Sequence, residues 1–173
     1  MSDYLENIFS LKNKTALITG GSKGIGAGIV SAFINAGANV VSLSRSKPIL
    51  EEQDSLSYYQ CDISDLVEFE RICKLVDCQY GGIDILVNAA GISLSSESFD
   101  NKFERFNKTL LINLVATYQC CEVASKFMHH NSSIINITSI GSMLGFPENP
   151  GYVASKGGVM ALTKSLAMDL SLK

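Results

Sequence analysis

"KTALITGGSKGIG", residues 14–26, joins a short apolar run to a glycine-rich turn and then to residues of helical period. "KTALIT" at 14–19 has the β-branched, apolar character of a buried strand, and a helix is predicted over about Ile25 to Asn35, ended by Ala36-Gly37. Strand, glycine loop and helix in that order form the opening unit of a parallel α/β sheet.

The same alternation continues along the chain. "ANVVSLS" at 38–44 is the second expected strand and "LSYYQCD" at 56–62 the third. "ISDLVEFERICKLVDCQYG" places Ile63, Leu66, Val67, Ile72, Leu75 and Val76 at helical spacing, with Ser64 as expected N-cap and Gly81 as stop. "IDILVNAAG" is a fourth strand, continuously apolar as a strand covered on both faces should be. A long helix is expected over about Phe103 to His130, then "SSIINITS" as the fifth strand and "YVASKGGVMALTKSLAMDLSLK" as a helix. Regular alternation implies βαβ crossovers and a doubly wound parallel sheet, with ligands at the carboxyl ends of its strands.

Composition limits the function classes. With 173 residues, 46% hydrophobic and 18% charged, residues 1–173 read as one globular domain. A net charge of −3, with Lys and Arg scattered, offers no field for nucleic acid or anionic lipid, so a small-molecule partner is expected. Cys61, Cys73, Cys78, Cys120 and Cys121 lack zinc-ligand or CxxC spacing, and free, mostly buried thiols in a reduced, cytoplasmic setting are expected. "MSDYLENIFSLKNK" does not resemble a signal peptide, and no run approaches the roughly 20 apolar residues of a membrane span.

Three motifs stand at strand ends. "TGGSKGIG", Thr19 to Gly26, follows strand one; its glycines allow a tight turn and close approach to a pyrophosphate, which the next helix can hold at its N-terminus. A plain turn is the bland alternative, and no Walker Gly-Lys-Ser/Thr closes the loop. After strand two, Ser44-Arg45-Ser46 stands where an acid would hold a ribose 2'-hydroxyl. Arg45, with Lys23 and a donated bond from Ser44, suits a 2'-phosphate and favours NADP(H) over NAD(H); the alternative is a solvated loop charge. After strand five come Ser139, Tyr152 and Lys156. A cation one helical turn from a phenol favours the phenolate, and a serine beside it can hold a carbonyl or alcohol oxygen. Alone, YxxxK also fits an ordinary helix face.

Taken together, Thr19-Gly20-x-x-x-Gly24-Ile25-Gly26, Asn88-Ala89-Ala90-Gly91, Asn113, Ser139 and Tyr152-x-x-x-Lys156 resemble the short-chain dehydrogenase/reductase family from about Leu11 onward. The resemblance implies a Rossmann-type fold, an alcohol or ketone substrate of 3-oxoacyl or sugar/polyol type, and homodimers or homotetramers. It implies Tyr152 as general acid-base, Lys156 as the group that aids it and holds the nicotinamide ribose, and Ser139 as the group polarising the substrate oxygen. By the same resemblance the main chain of Asn113 holds a relay water, Asp62 with Ile63 contacts the adenine, and Ser22 and Asn88 to Gly91 lie beside the cofactor.

Two expectations depart from that pattern. Family members continue past Lys173 with further strands and a substrate lid, so a truncated form is expected, with the fifth strand as an apolar edge. An inactive nucleotide-binding domain, or an interaction module using the helices at 103–130 and 152–171, are the competing readings. His129-His130 are expected as last-turn helix residues rather than metal ligands, Glu51, Glu52 and Asp54 as a solvated loop, and Val115, Tyr118, Val123 and Phe127 as packing residues. Ser142, Met143 and Phe146 are expected beside the substrate.

Overall fold

The computed structural model describes residues 8–47, 54–94 and 101–171. Five parallel strands form its sheet: β1 (Thr15–Thr19), β2 (Asn39–Ser44), β3 (Leu56–Gln60), β4 (Ile83–Asn88) and β5 (Met128–Asn136), in the order β3-β2-β1-β4-β5. Every residue of β1 is buried, as its central place requires. The pairs Thr19 with Leu43, Thr19 with Asn88, and Asn88 with Asn136 bring the carboxyl ends of these strands into one row.

Helix α1 (Gly24–Asn35) packs Val30, with Ile29 and Phe33, on one face of the sheet against Ala16, Ile18, Val40 and Val87. Its end is as expected, with Ala36 as C-cap and Gly37 at a φ of +92°. The other face carries α2 (Leu66–Tyr80), α4 (Ala116–Ala124) and part of α5 (Pro150–Leu170), burying Phe69, Ile72, Cys73, Val76, Cys120 and Leu166. Gly81 stops α2 in the left-handed conformation. The α2 cap differs from expectation: Asp65 accepts from Glu68 N, while the hydroxyl of Ser64 is drawn to Asp62 Oδ1 at 2.7 Å. Val67 faces solvent, and Phe69 and Cys73 take the buried positions instead.

The expected helix at 103–130 is a composite. It comprises α3 (Lys102–Leu110), one π turn (Leu111–Val115), α4 and a 3-10 turn (Ser125–Phe127). The π turn is closed by Ala116 N donating to Leu111 O. His129 and His130 are not helical but belong to β5, which starts earlier than its apolar run because Met128 pairs with Ile83; the His129 ring meets Gly81 O at 2.6 Å. Val123 and Phe127 pack on the core, whereas Val115 and Tyr118 are exposed.

All five cysteines are free, and four are buried. Burial raises the thiols of Cys61 and Cys121 to about 11 and that of Cys73 to about 12, so they stay protonated. Asp54 is exposed in a turn; Glu51 and Glu52 lie outside the described residues. Among the described residues, no helix is long and apolar enough to cross a membrane.

Candidate active site

Along the carboxyl ends of β1 to β4 runs a cleft of about 620 Å³. Of the predicted residues, Gly20, Ser22, Lys23, Gly24, Ile25, Gly26, Ser44, Arg45, Asp62, Ile63, Ala89, Ala90 and Gly91 line it. Thr19 and Asn88 sit behind the wall instead. Thr19 is fully buried, and its hydroxyl accepts from Ala90 N at 3.2 Å, which fixes the β1 loop against the β4 loop. Asn88 donates to Asn136 Oδ1 at 2.9 Å, and Asn136 donates to Thr163 at 3.0 Å, tying β4, β5 and α5 together.

The glycine loop is a close-packed cradle. A Cβ on Gly20, at a φ of +72°, would stand 2.7 Å from the Ala90 backbone, and one on Gly26 would collide with the Gly20 carbonyl oxygen. Gly24, at +57°, has nothing within 4 Å of its Cβ position, so the loop offers bare backbone to the cleft. The N-cap of α1, Lys23, makes no side-chain capping bond, which leaves the first N–H groups of the helix for an anion. These features fit a dinucleotide pyrophosphate.

At the end of β2 the arrangement differs from expectation in one donor. Ser44 gives its hydroxyl proton to Ser46 O at 2.7 Å and is buried, so it has none to offer a ligand. Ser46 takes that place: its hydroxyl lies 3.3 Å from that of Ser22 and lines the cleft. Arg45 is exposed, its carbonyl held by Gln60 Nε2 at 3.0 Å. Burial raises the Asp62 carboxyl, but hydrogen bonds from Ser64 N and Oγ, with Arg45 and Lys108 nearby, outweigh it and hold the group below the usual carboxylate range. Cys61, Ile92 and Ile112 also line the cleft and were not legible as ligand contacts, being apolar residues of ordinary core type.

The second half of the site lies at the ends of β4 and β5. Asn113, buried in the π turn, accepts from Ile92 N at 2.8 Å through Oδ1 and donates through Nδ2 to Ile92 O at 2.8 Å and Ser155 Oγ at 3.1 Å. Its carbonyl accepts from Thr117 Oγ1 at 2.9 Å. Pro150 starts α5, a place where its missing N–H costs nothing. Tyr152 follows on the first turn, half-buried, and Lys156 one turn later. Lys156 is only 7% exposed and donates through Nζ to Ile137 O at 2.6 Å; burial draws its pKa below the ordinary 10.5. A Cβ on Gly91 would lie 3.3 Å from Asn113 Oδ1 and 3.7 Å from Lys156 Nζ, so these three residues converge. Ser139 Oγ accepts from Gly141 N at 3.1 Å, which leaves its own proton to give. Ser142 accepts from Ser139 N at 3.3 Å and donates to Lys156 O at 3.0 Å, joining the β5 loop to the lysine turn.

Known proteins resemble the chain in sequence and in fold. A solved structure of aldohexose dehydrogenase from Thermoplasma acidophilum is similar to the chain, with a TM-score of 0.84 and 31% identity over 92% of this chain and 62% of that one. A 3alpha-hydroxysteroid dehydrogenase of Mediterraneibacter gnavus is 37% identical over 92% of this chain and 69% of its own length. An NADP-dependent (R)-specific alcohol dehydrogenase of Lentilactobacillus kefiri is 33% identical over 94% of this chain and 69% of its own. The chain thus spans about two thirds of the length of the proteins it matches. The family model described as short chain dehydrogenase covers residues 14–173, and with these similarities it shows that the chain belongs to the short-chain dehydrogenase family.

Proposed function

We propose that the chain, as one dinucleotide-binding unit, serves an NADP(H)-dependent oxidoreductase that interconverts a secondary alcohol and a ketone. The observation that carries this reading is the buried Lys156 ammonium, held on Ile137 O beside Gly91 and Asn113 at the end of a glycine-cradled cleft. The glycine loop and the start of α1 would hold the pyrophosphate, and Arg45 with Lys23 the 2'-phosphate, helped by Ser46 rather than Ser44. Asp62 and Ile63 would border the adenine, and Lys156 the nicotinamide ribose. When bound, the nicotinamide supplies or takes the hydride at the substrate carbon.

The chain's own residues handle the oxygen. Ser139 donates a hydrogen bond to it, and Tyr152 gives it a proton in reduction and takes that proton back in oxidation. Lys156, one helical turn from Tyr152, would with the Asn113 turn return protons from solvent. Candidate substrates are ketones of 3-oxoacyl or sugar/polyol type. The five free cysteines suit a reduced cytoplasmic setting, and the exposed Leu111, Val115 and Tyr118 suit a homodimer or homotetramer through this helix. That stripe also favours the second reading, an association module that binds nucleotide without turnover.

The test is a fluorescence titration of NADPH and NADH against the chain, paired with ketone reduction by wild type and Tyr152→Phe. Saturable binding with NADPH preferred, and a loss of about 100-fold or more in turnover for the variant, are expected. A variant that retains most of its activity would sink the assignment of Tyr152; binding without any turnover would favour the second reading.

A further inference from the structure

Three successive carbonyls at the end of β2 are tied to β3 or to the residue after it. Ser44 O accepts from Cys61 N at 3.0 Å and Arg45 O from Gln60 Nε2 at 3.0 Å. Ser46 O accepts from the Tyr58 hydroxyl at 2.6 Å and from the Ser44 hydroxyl at 2.7 Å. Tyr58 Oη also lies 3.0 Å from Ser44 O, so one phenol braces both ends of the Ser44-Arg45-Ser46 bend. Tyr58 and Gln60 stand two apart on β3, where side chains leave the strand on one face. Neither lines the cleft; their contact is with the backbone that carries Arg45.

What the bend keeps for a ligand is donors. Arg45 is exposed, Lys23 lines the same cleft, and the hydroxyls of Ser46 and Ser22, 3.3 Å apart, retain one proton between them for a third partner. Asp62, the one carboxylate lining the cleft among the described residues, has its Oδ1 engaged by Ser64 N and Oγ. A phosphate brings only acceptor oxygens and needs donors, whereas a ribose hydroxyl in its place needs an acceptor for its proton. A bare carbonyl would serve the hydroxyl and repel the phosphate. Spending the carbonyls on β3 therefore discriminates by removing acceptors, beside the attraction that the cations supply. We propose that Tyr58 and Gln60 are positioning residues for cofactor choice, which hold the carbonyls of Ser46 and Arg45 and so keep the 2'-phosphate side of the cleft free of competing acceptors. This inference rests on the reading of Arg45 and Ser46 as the 2'-phosphate site.

Fluorescence titrations of NADPH and NADH against wild type, Tyr58→Phe, Gln60→Leu and the double variant test it. Phenylalanine keeps the ring of Tyr58, and Gln60 is exposed, so neither change touches the glycine loop. Each single variant is expected to lower the ratio of NADPH to NADH affinity by about threefold and the double variant by about tenfold, through weaker NADPH with NADH nearly unchanged. A merely structural role moves both nucleotides together, so an equal loss for the two overturns the proposal. Should the double variant fail to melt cooperatively, Gln60→Leu decides alone. A wild type without preference for NADPH sinks the cofactor reading and the proposal with it. A wild type that prefers NADPH, loses the preference in Arg45→Ala and keeps it in all the β3 variants sinks the proposal alone.

Discussion

Lys156 Nζ and the Ile137 carbonyl oxygen stand 2.6 Å apart, so a buried ammonium ties the second turn of α5 to the end of β5. No carboxylate contributes to its shift; burial alone draws the pKa down. Below the depressed folded value both folded and unfolded chains are protonated, and the desolvation cost is fully present. Between that value and the ordinary 10.5 the unfolded chain binds more protons, so stability rises with pH. The melting temperature of the wild type relative to Lys156→Met is therefore expected to climb across this window. A difference that stays flat would mean that the ammonium is solvated.

Gly20 and Gly24 separate stability from ligand binding. Both have positive φ, but only Gly20 has backbone 2.7 Å from its Cβ position. Gly24→Ala should cost about 1 kcal/mol of left-handed strain and weaken NADPH binding by intruding on the open cradle. Gly20→Ala should cost about 2 to 5 kcal/mol, because the β1 loop must part from Ala90. Thermal melts beside NADPH titrations distinguish the two, and equal melting temperatures would refute the packing account.

Asn113 has three hydrogen bonds to lose. Asn113→Ala orphans both backbone groups of Ile92 and is expected to destabilise by about 2 to 4 kcal/mol in urea unfolding. Asn113→Asp keeps an acceptor for Ile92 N but sets a carboxylate against Ile92 O. It should therefore be no better than alanine, and a variant as stable as wild type would contradict the bonding described.

Arg45 carries the prediction on cofactor choice. Arg45→Ala should weaken NADPH by about 10- to 100-fold, the worth of a charge-assisted bond to phosphate, and leave NADH nearly unchanged. An equal loss for both nucleotides would remove Arg45 from phosphate recognition.

The strands and the glycine loop were legible because they depend on local chemistry: β-branched runs, glycines, and the Ala36-Gly37 and Gly81 stops. What escaped depends on partners distant in sequence. Asn113 is pulled by Ile92, 21 positions away, and nothing in "LLINLVATY" separates a π turn from an α turn. His129 joins β5 through the pairing of Met128 with Ile83. Ser44 and Ser46 flank Arg45 alike in sequence, and only the carbonyl of Ser46 decides which hydroxyl is spent. Asp65 displaced Ser64 as cap because both suit the role and Asp62 claimed the serine.

The π turn at Leu111–Val115 also acts as a phase adapter between α3 and α4. In a regular ladder one extra residue would carry every later side chain about 100° around the axis; the wide turn absorbs it, so α3 and α4 keep the phase of one continuous helix. Deleting a single residue there, other than Asn113, would restore a regular ladder with Cys120, Cys121 and Val123 still on the core face and Tyr118 still outside. What such a deletion removes is the wide turn that carries Asn113, so the helical packing should survive it while the Asn113 bonds to Ile92 are disturbed.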